Sequence, residues 1–166
     1  MAAVSAIRKS TIGLHQGLAL SHVASRYPTL EECIMEAIQN SIDAKAKNVW
    51  VKIDLQKMNI AITDDGNGVS SSQFEEALSI VCKSVKSAGS LGQFGIGLIA
   101  FLGKCEYFRF ISCPRHVSQG YRQWTFNTDE IINQQEAPEI KCEALAGYTY
   151  ACVPSNKKQG SRREVS

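Results

Sequence analysis

Several features that would place a chain in a specialised class are missing from this sequence of 166 residues. Its 6 cysteines include no pair spaced as CxxC, the pattern of many zinc and redox sites. No stretch approaches the roughly 18 consecutive apolar residues that a membrane-spanning helix needs. The 18 basic and 16 acidic residues leave a formal charge of +2, too little to indicate binding to DNA or an acidic membrane by bulk charge. We therefore expect a cytoplasmic protein with reduced structural thiols.

The composition is that of an ordinary globular domain, with 44% hydrophobic and 20% charged residues. A chain of this length buries roughly two-thirds of the surface that it exposes when unfolded, which is enough for a single core. We predict one domain over residues 1–154. Residues 155–166 carry four basic side chains among polar ones, and we expect them to form a polar basic tail with frayed ends.

A helix is predicted to begin after Thr29, which can cap it, because Glu32 stands three residues later as in a capping box. Apolar residues then recur with helical spacing at Leu30, Cys33, Ile34, Ala37, Ile38 and Ile42. At 100° per residue, Glu36, Asn40 and Asp43 lie together beside this apolar face. The helix alone also allows a plainer interpretation, in which the two acids are solvated and the amide makes a local hydrogen bond.

A β-hairpin is predicted next, because apolar residues alternate from Val49 to Leu55 and a second strand-like run covers residues 60–63. It ends at Asp64, and Gly66 and Gly68 follow within the turn. A carboxylate at a strand end, next to glycines that let a flat ligand approach the backbone, suits recognition of an adenine amino group. The same DxGxG pattern is also a common turn. Further on, we predict a short helix around Phe74 and strands over residues 106–112, 121–126 and 148–153.

A small, polar loop over residues 83–91 leads into a glycine-rich helix start made of Gly92, Gln93, Phe94, Gly95, Ile96 and Gly97. The unpaired N–H groups and partial positive charge of such a helix end can hold phosphates. Residues 95–100 also fit the GxGxxA pattern of a Rossmann dinucleotide site. That pattern should directly follow a strand and be followed by an acid about 20 residues on, and residues 114–120 contain none. A P-loop is absent from the sequence.

In this order, the three motifs resemble those of the GHKL ATPases, the superfamily of DNA gyrase B proteins, heat-shock chaperone ATPases, histidine kinases and MutL proteins. The resemblance covers about residues 19–112, and the motifs look most like the chaperone, MutL and topoisomerase VI versions. It implies an α+β two-layer sandwich, the Bergerat fold, in which helices cover one face of a mixed, mostly antiparallel sheet. It also implies that ATP and Mg²⁺ are the cofactors.

The resemblance implies roles for the matched residues. Glu36 would be the general base, Asn40 a ligand of Mg²⁺ and Asp64 the adenine reader, with Asp43, Gly66 and Gly68 supporting the nucleotide site. Residues 92–97 would wrap the phosphates, and residues 83–91 would form an ATP lid whose closure acts as a switch. We expect slow hydrolysis, with a second copy or another protein as a partner at the lid. The alternative is a module that binds nucleotide without hydrolysing it, or that only docks a partner.

The chain departs from the family pattern late in its sequence. Relatives usually continue with a Gly-Thr-led strand whose threonine joins the adenine site, and then with a transducer domain. Gly160-Ser161 is the nearest late candidate for this strand, while Gly147-Tyr148-Thr149 matches less closely. We therefore expect the nucleotide-binding part of a larger protein, a C-terminally truncated piece, or a reduced homologue.

Overall fold

The computed structural model describes residues 20–22, 24–79, 100–115, 120–133, 140–146 and 159–166. The elements within them, in chain order, are α1 (Leu30–Asp43), β1 (Val49–Asp54), β2 (Asn59–Asp64), α2 (Ser71–Ser79), β3 (Tyr107–Cys113), β4 (Tyr121–Asn127), α3 (Thr128–Asn133), β5 (Lys141–Leu145) and β6 (Gly160–Val165). Among the described residues, no helix is both long and apolar enough to cross a membrane.

The helix α1 begins as its sequence predicts, whereas two residues of its predicted apolar face, Leu30 and Ile42, are exposed. The Thr29 side chain accepts a hydrogen bond from the Glu32 N–H at 3.2 Å, and the Glu32 carboxylate accepts one from the Thr29 N–H at 3.4 Å. This capping box satisfies N–H groups that the first helical turn leaves without partners. Cys33, Ala37 and Ser41, spaced four residues apart, form the buried stripe of the helix.

The six strands form one sheet in the order β1-β2-β6-β3-β4-β5, and every pairing between them is antiparallel. The predicted hairpin of β1 and β2 is confirmed, with Val49 opposite Asp64 and Asp54 opposite Asn59. The predicted strands at 106–112 and 121–126 correspond to β3 and β4, while the one predicted at 148–153 lies outside the described residues. The strand β5 and the short helix α3 were not predicted.

The expected fraying of the C-terminal segment is wrong for Gly160–Val165. These residues form β6, which lies inside the sheet and pairs with both β2 and β3. The polar sequence of β6 does not indicate an interior strand, because its charged side chains form ion pairs with their neighbours. Glu164 pairs with Arg109 at 2.6 Å and with Arg162 at 2.7 Å. A strand whose charges find partners within the sheet therefore resembles a solvated tail in sequence.

Helices cover one face of the sheet, which confirms the predicted α+β two-layer fold. Residues from α1, α2 and α3 pack with strand residues in one core cluster. The ring of Phe74 in α2 stacks on Trp124 with 4.1 Å between ring centroids and on Phe110 with 5.1 Å. A smaller cluster around Ile111 and Tyr121 lies on the opposite face.

The described cysteines, Cys33, Cys105, Cys113 and Cys142, are unpaired thiols. Burial raises the pKa of Cys105 to about 11 and also raises the pKa of Cys33. These two side chains therefore stay protonated at neutral pH and behave as small apolar groups. Cys82 and Cys152 lie outside the described residues.

Candidate functional site

Asp64, the last residue of β2, is fully buried where α1, β2 and β6 meet. Its Oδ1 accepts hydrogen bonds from the N–H groups of Gly66 at 3.0 Å and Ser161 at 3.3 Å. Its Oδ2 lies 3.1 Å from the hydroxyl of Ser41 and 3.1 Å from Nη1 of Arg163. The carboxylate predicted to read adenine thus also ties the three elements together.

Glu36 and Asn40 contact each other on α1, as the helical spacing predicts. The side-chain amide of Asn40 donates hydrogen bonds to the Glu36 carbonyl at 2.9 Å and to Glu36 Oε1 at 3.3 Å. Asn40 adjoins Ser41 in sequence, so one helical turn connects this pair to Asp64. Asp43 is half-buried at the end of the same helix.

Tyr27 also belongs to this site, although its sequence context does not single it out. Burial, together with the nearby charge of Glu36, raises the pKa of Tyr27 to about 12. The hydroxyl therefore stays protonated at neutral pH and lies near enough to Glu36 to respond to its charge. Tyr27 precedes the capping motif, so no helical periodicity connects it with Glu36.

Gly66 and Gly68 are required by the protein's own packing. A Cβ on Gly66 would stand 2.8 Å from the carbonyl oxygen of Ala44, and one on Gly68 would stand 2.1 Å from the carbonyl oxygen of Cys113. The two glycines therefore let the turn after Asp64 lie against the end of α1 and the end of β3. Their predicted contact with a nucleotide stays a prediction.

Asp65 holds the loop that follows α1. Its Oδ1 accepts hydrogen bonds from the N–H groups of Lys47 at 2.8 Å and Asn48 at 2.9 Å, and its Oδ2 accepts one from the Asn48 side chain at 2.9 Å. The two neighbouring aspartates thus have different positions: Asp65 fixes the loop after the helix, and Asp64 faces the helix itself.

The predicted phosphate-binding residues, Gly92, Gln93, Phe94, Gly95, Ile96 and Gly97, lie outside the described residues, as does the lid at 83–91. Ala100, the next described residue, is fully buried, and its carbonyl oxygen lies 3.2 Å from the Cys33 thiol. Cys33 precedes Glu36 by about one helical turn. The residue three positions after Gly97 is therefore packed against the helix that carries the Glu36–Asn40 pair.

The donor set fits the predicted cation, because Mg²⁺ prefers oxygen ligands and binds through one or two protein groups together with waters and phosphates. The Asn40 amide nitrogen faces Glu36, which directs the amide oxygen away from that carboxylate. Asn40 would hold Mg²⁺ through this oxygen, and the bound ion would neutralise phosphate charge.

A separate polar groove of about 460 Å³ lies on the opposite face of the sheet. Its lining residues are Tyr107, Arg109, Gln123, Thr125, Lys141, Glu143 and Ser166. Its three charged side chains are already paired within the protein, as Arg109–Glu164 at 2.6 Å and Lys141–Glu143 at 2.5 Å. Because the sheet separates this groove from Asp64, it is not part of the candidate site.

Fold and site define the class of protein: an α+β sandwich with a carboxylate–amide pair on helix α1 and a buried aspartate at the end of the adjoining hairpin. The chain belongs to the family of histidine kinase-, DNA gyrase B- and HSP90-like ATPases, whose model matches residues 27–156. This membership confirms the GHKL resemblance and supports ATP binding. A comparison with curated proteins found no significant match.

Ser41, Ser161 and Arg163 are the other site residues that sequence reasoning missed or left open. Gly160-Ser161 is the nearest candidate in the sequence for the family's late strand, and the structure places this pair beside Asp64. It lies beyond the residues matched by the family model, so its position follows from strand pairing alone. No local pattern indicates that Arg163 contacts Asp64, because 99 positions separate them in sequence.

Proposed function

We propose that this chain binds ATP with Mg²⁺ beside α1 and hydrolyses it slowly. The observation that carries the proposal is the contact of Glu36 with Asn40, one residue before Ser41, whose hydroxyl lies 3.1 Å from Asp64. The proposed general base Glu36 and cation ligand Asn40 thus follow one another along α1, and the proposed adenine acceptor Asp64 lies beside the next residue of that helix. This order suits a nucleotide that lies along the helix with its phosphates towards Glu36.

In the proposed reaction, Glu36 accepts a proton from a water molecule whose oxygen attacks the γ-phosphorus, and the bond to the ADP oxygen breaks. The side-chain amide of Asn40 holds the carboxylate in place. Asp64 accepts a hydrogen bond from the adenine amino group, and Asp43 supports the site. The assignment of residues 92–97 to the phosphates rests on their glycine-rich sequence and on family membership.

We further propose that residues 83–91 close over bound ATP, which makes the nucleotide state a conformational signal. Ordering each residue costs about 1–2 kcal/mol, so closure needs compensating contacts with phosphate or with a partner surface. A second copy or another protein would supply that surface. The likeness to the chaperone, MutL and topoisomerase VI branch and the cytoplasmic location remain predictions.

The test compares Glu36→Gln with Glu31→Gln, the same change at an exposed acid of the same helix. ATP binding is measured by titration with and without Mg²⁺, and hydrolysis by phosphate release. Glu36→Gln should keep ATP affinity within about twofold and lower the rate by about 10² or more, because the amide cannot accept the proton. Glu31→Gln should match the wild type in both measurements.

Three results would change the proposal. Equal hydrolysis by wild type and Glu36→Gln would remove the base assignment. ATP binding without hydrolysis by the wild type would favour the second candidate, a nucleotide switch that does not hydrolyse ATP. Failure of the wild type to bind ATP would remove both.

A further inference from the structure

The acceptor positions of Asp64 are already occupied by the protein. A carboxylate has about four lone-pair sites. Gly66 and Ser161 use Oδ1 through backbone N–H groups, while Ser41 and Arg163 lie at Oδ2. Because Asp64 is fully buried, an adenine amino group can reach it only where one of these four partners gives way.

The two partners of Oδ1 cannot withdraw without moving the sheet or the turn. Ser161 lies opposite Asp64 in the β2–β6 pairing, and Gly66 is packed against Ala44. The Ser41 hydroxyl can send its hydrogen to the carbonyl of Ala37, at 3.0 Å, without leaving its place. Arg163 is the remaining partner, and it sits at the end of a long side chain with several rotatable bonds.

Arg163 extends from β6 on the face that the helices cover. Its guanidinium carbon lies 5.3 Å from the centroid of the Phe110 ring, and Nη1 also contacts the Ser41 hydroxyl at 3.4 Å. Only 8% of the side chain is exposed. A permanently charged donor is thus held against Asp64 Oδ2, where it competes with any neutral donor for the same oxygen.

We propose that Arg163 occupies the position beside Asp64 Oδ2 where adenine would bind. The adenine amino group can then donate a hydrogen bond to Asp64 only when this guanidinium withdraws. This inference rests on the proposed nucleotide site and adds to it a residue that sets how much the base contributes to affinity. With Arg163 in place, a ligand is held mainly by its phosphates. ATP and inorganic tripolyphosphate should then bind the wild type with similar affinity.

The experiment measures the affinities of the full chain for ATP and for tripolyphosphate, and takes their ratio. Arg163→Met keeps an apolar stem over Phe110 but removes the charged donor. We expect this variant to raise the preference for ATP by about tenfold or more, the usual net effect of one charge-assisted hydrogen bond. Its affinity for tripolyphosphate should stay unchanged. Arg162→Met is the matched control, because the neighbouring side chain points to the opposite face and contacts Thr63 and Glu164.

A double variant tests whether the gain passes through Asp64. Adding Asp64→Asn to Arg163→Met should abolish the increase. An amide has one acceptor oxygen, which the N–H groups of Gly66 and Ser161 would engage, so its NH₂ group would face the adenine donor. Persistence of the full gain in the double variant would overturn the assignment to Asp64.

An unchanged or lower ATP preference in folded Arg163→Met would overturn the role of Arg163, while binding of both ligands would leave the nucleotide site standing. If Arg163→Met shows no cooperative unfolding in urea, the ratio of the wild-type affinities for ATP and tripolyphosphate tests the proposal instead. If the wild type prefers ATP to tripolyphosphate by more than about tenfold, adenine contributes more than it could without a hydrogen bond to Asp64, and the proposal is overturned. A smaller preference supports it. Binding of neither ligand by the wild type would remove the nucleotide site and this proposal together.

Discussion

Gly68 has a φ of 66°, and a Cβ at this position would stand 2.1 Å from the carbonyl oxygen of Cys113. Any side chain here therefore meets both backbone strain and a collision. The carbonyl oxygen of Asn67, the preceding residue, accepts the N–H of Arg115 at 2.8 Å. Gly68 thus allows the turn after Asp64 to lie against the end of β3.

We expect Gly68→Ala to lower the free energy of unfolding by about 2–5 kcal/mol, the sum of left-handed strain and overpacking. Urea denaturation followed by circular dichroism measures this loss. Gly120→Ala is the matched control, because Gly120 has a φ of 67° and no atom of the described residues within 4 Å of the added Cβ. It should lose only the strain, about 1–2 kcal/mol. Equal losses would show that the contact with Cys113 is unimportant.

At the scale of elements, β6 connects the two parts of the sheet, because it lies between β2 and β3. It also brings both Ser161 and Arg163 to Asp64. The sheet would otherwise be interrupted in its interior. The backbone groups of β2 and β3 that pair with β6 would lose their partners, which is costly for buried amides and carbonyls.

Removing residues 160–166 should therefore abolish the cooperative unfolding transition, as measured by urea denaturation. The control keeps the strand but removes its surface charges, through Arg162→Gln combined with Glu164→Gln. Since partly exposed ion pairs contribute little, this control should lose no more than about 1–2 kcal/mol. A truncated chain that still unfolds cooperatively at the wild-type urea concentration would contradict the central position of β6.

At the scale of the whole molecule, one aromatic cluster connects a helix with the sheet. Phe74 of α2 stacks on Trp124 and Phe110, and its ring meets Phe126 edge-on at 6.2 Å between centroids. Such contacts contribute beyond the buried area itself. The helix α2 is thereby held over strands β3 and β4.

Phe74→Ala should lower the free energy of unfolding by about 3–5 kcal/mol, because the rigid rings around it cannot close the cavity. This is a large part of the total stability of a domain of this size. Leu55→Ala, at a residue that is 80% exposed in the β1–β2 turn, should change stability by no more than about 0.5 kcal/mol. A similar small effect at Phe74 would show that α2 contributes little to the stability of the core.

The predicted part of the fold is the part specified by local patterns. Thr29 and Glu32 mark the start of α1, and the alternation in β1 and β2 marks the hairpin, because both signals lie within a few residues. The spacing of Glu36 and Asn40 similarly predicts their contact. Beyond the candidate start at Gly160-Ser161, the sequence does not predict strand β6, because its charges are paired with distant residues such as Arg109.

By itself, the sequence determined the helix with its Glu36–Asn40 pair, the hairpin that ends at Asp64, and the order of motifs that indicates the ATPase family. These features depend on periodicity, helix caps and turn residues, which are signals carried by residues close together in the sequence. Only the tertiary structure decided what surrounds Asp64: Ser41 from α1, and Ser161 and Arg163 from β6, 97 and 99 positions away. Such contacts follow from strand order within a packed sheet, and no local pattern carries that information.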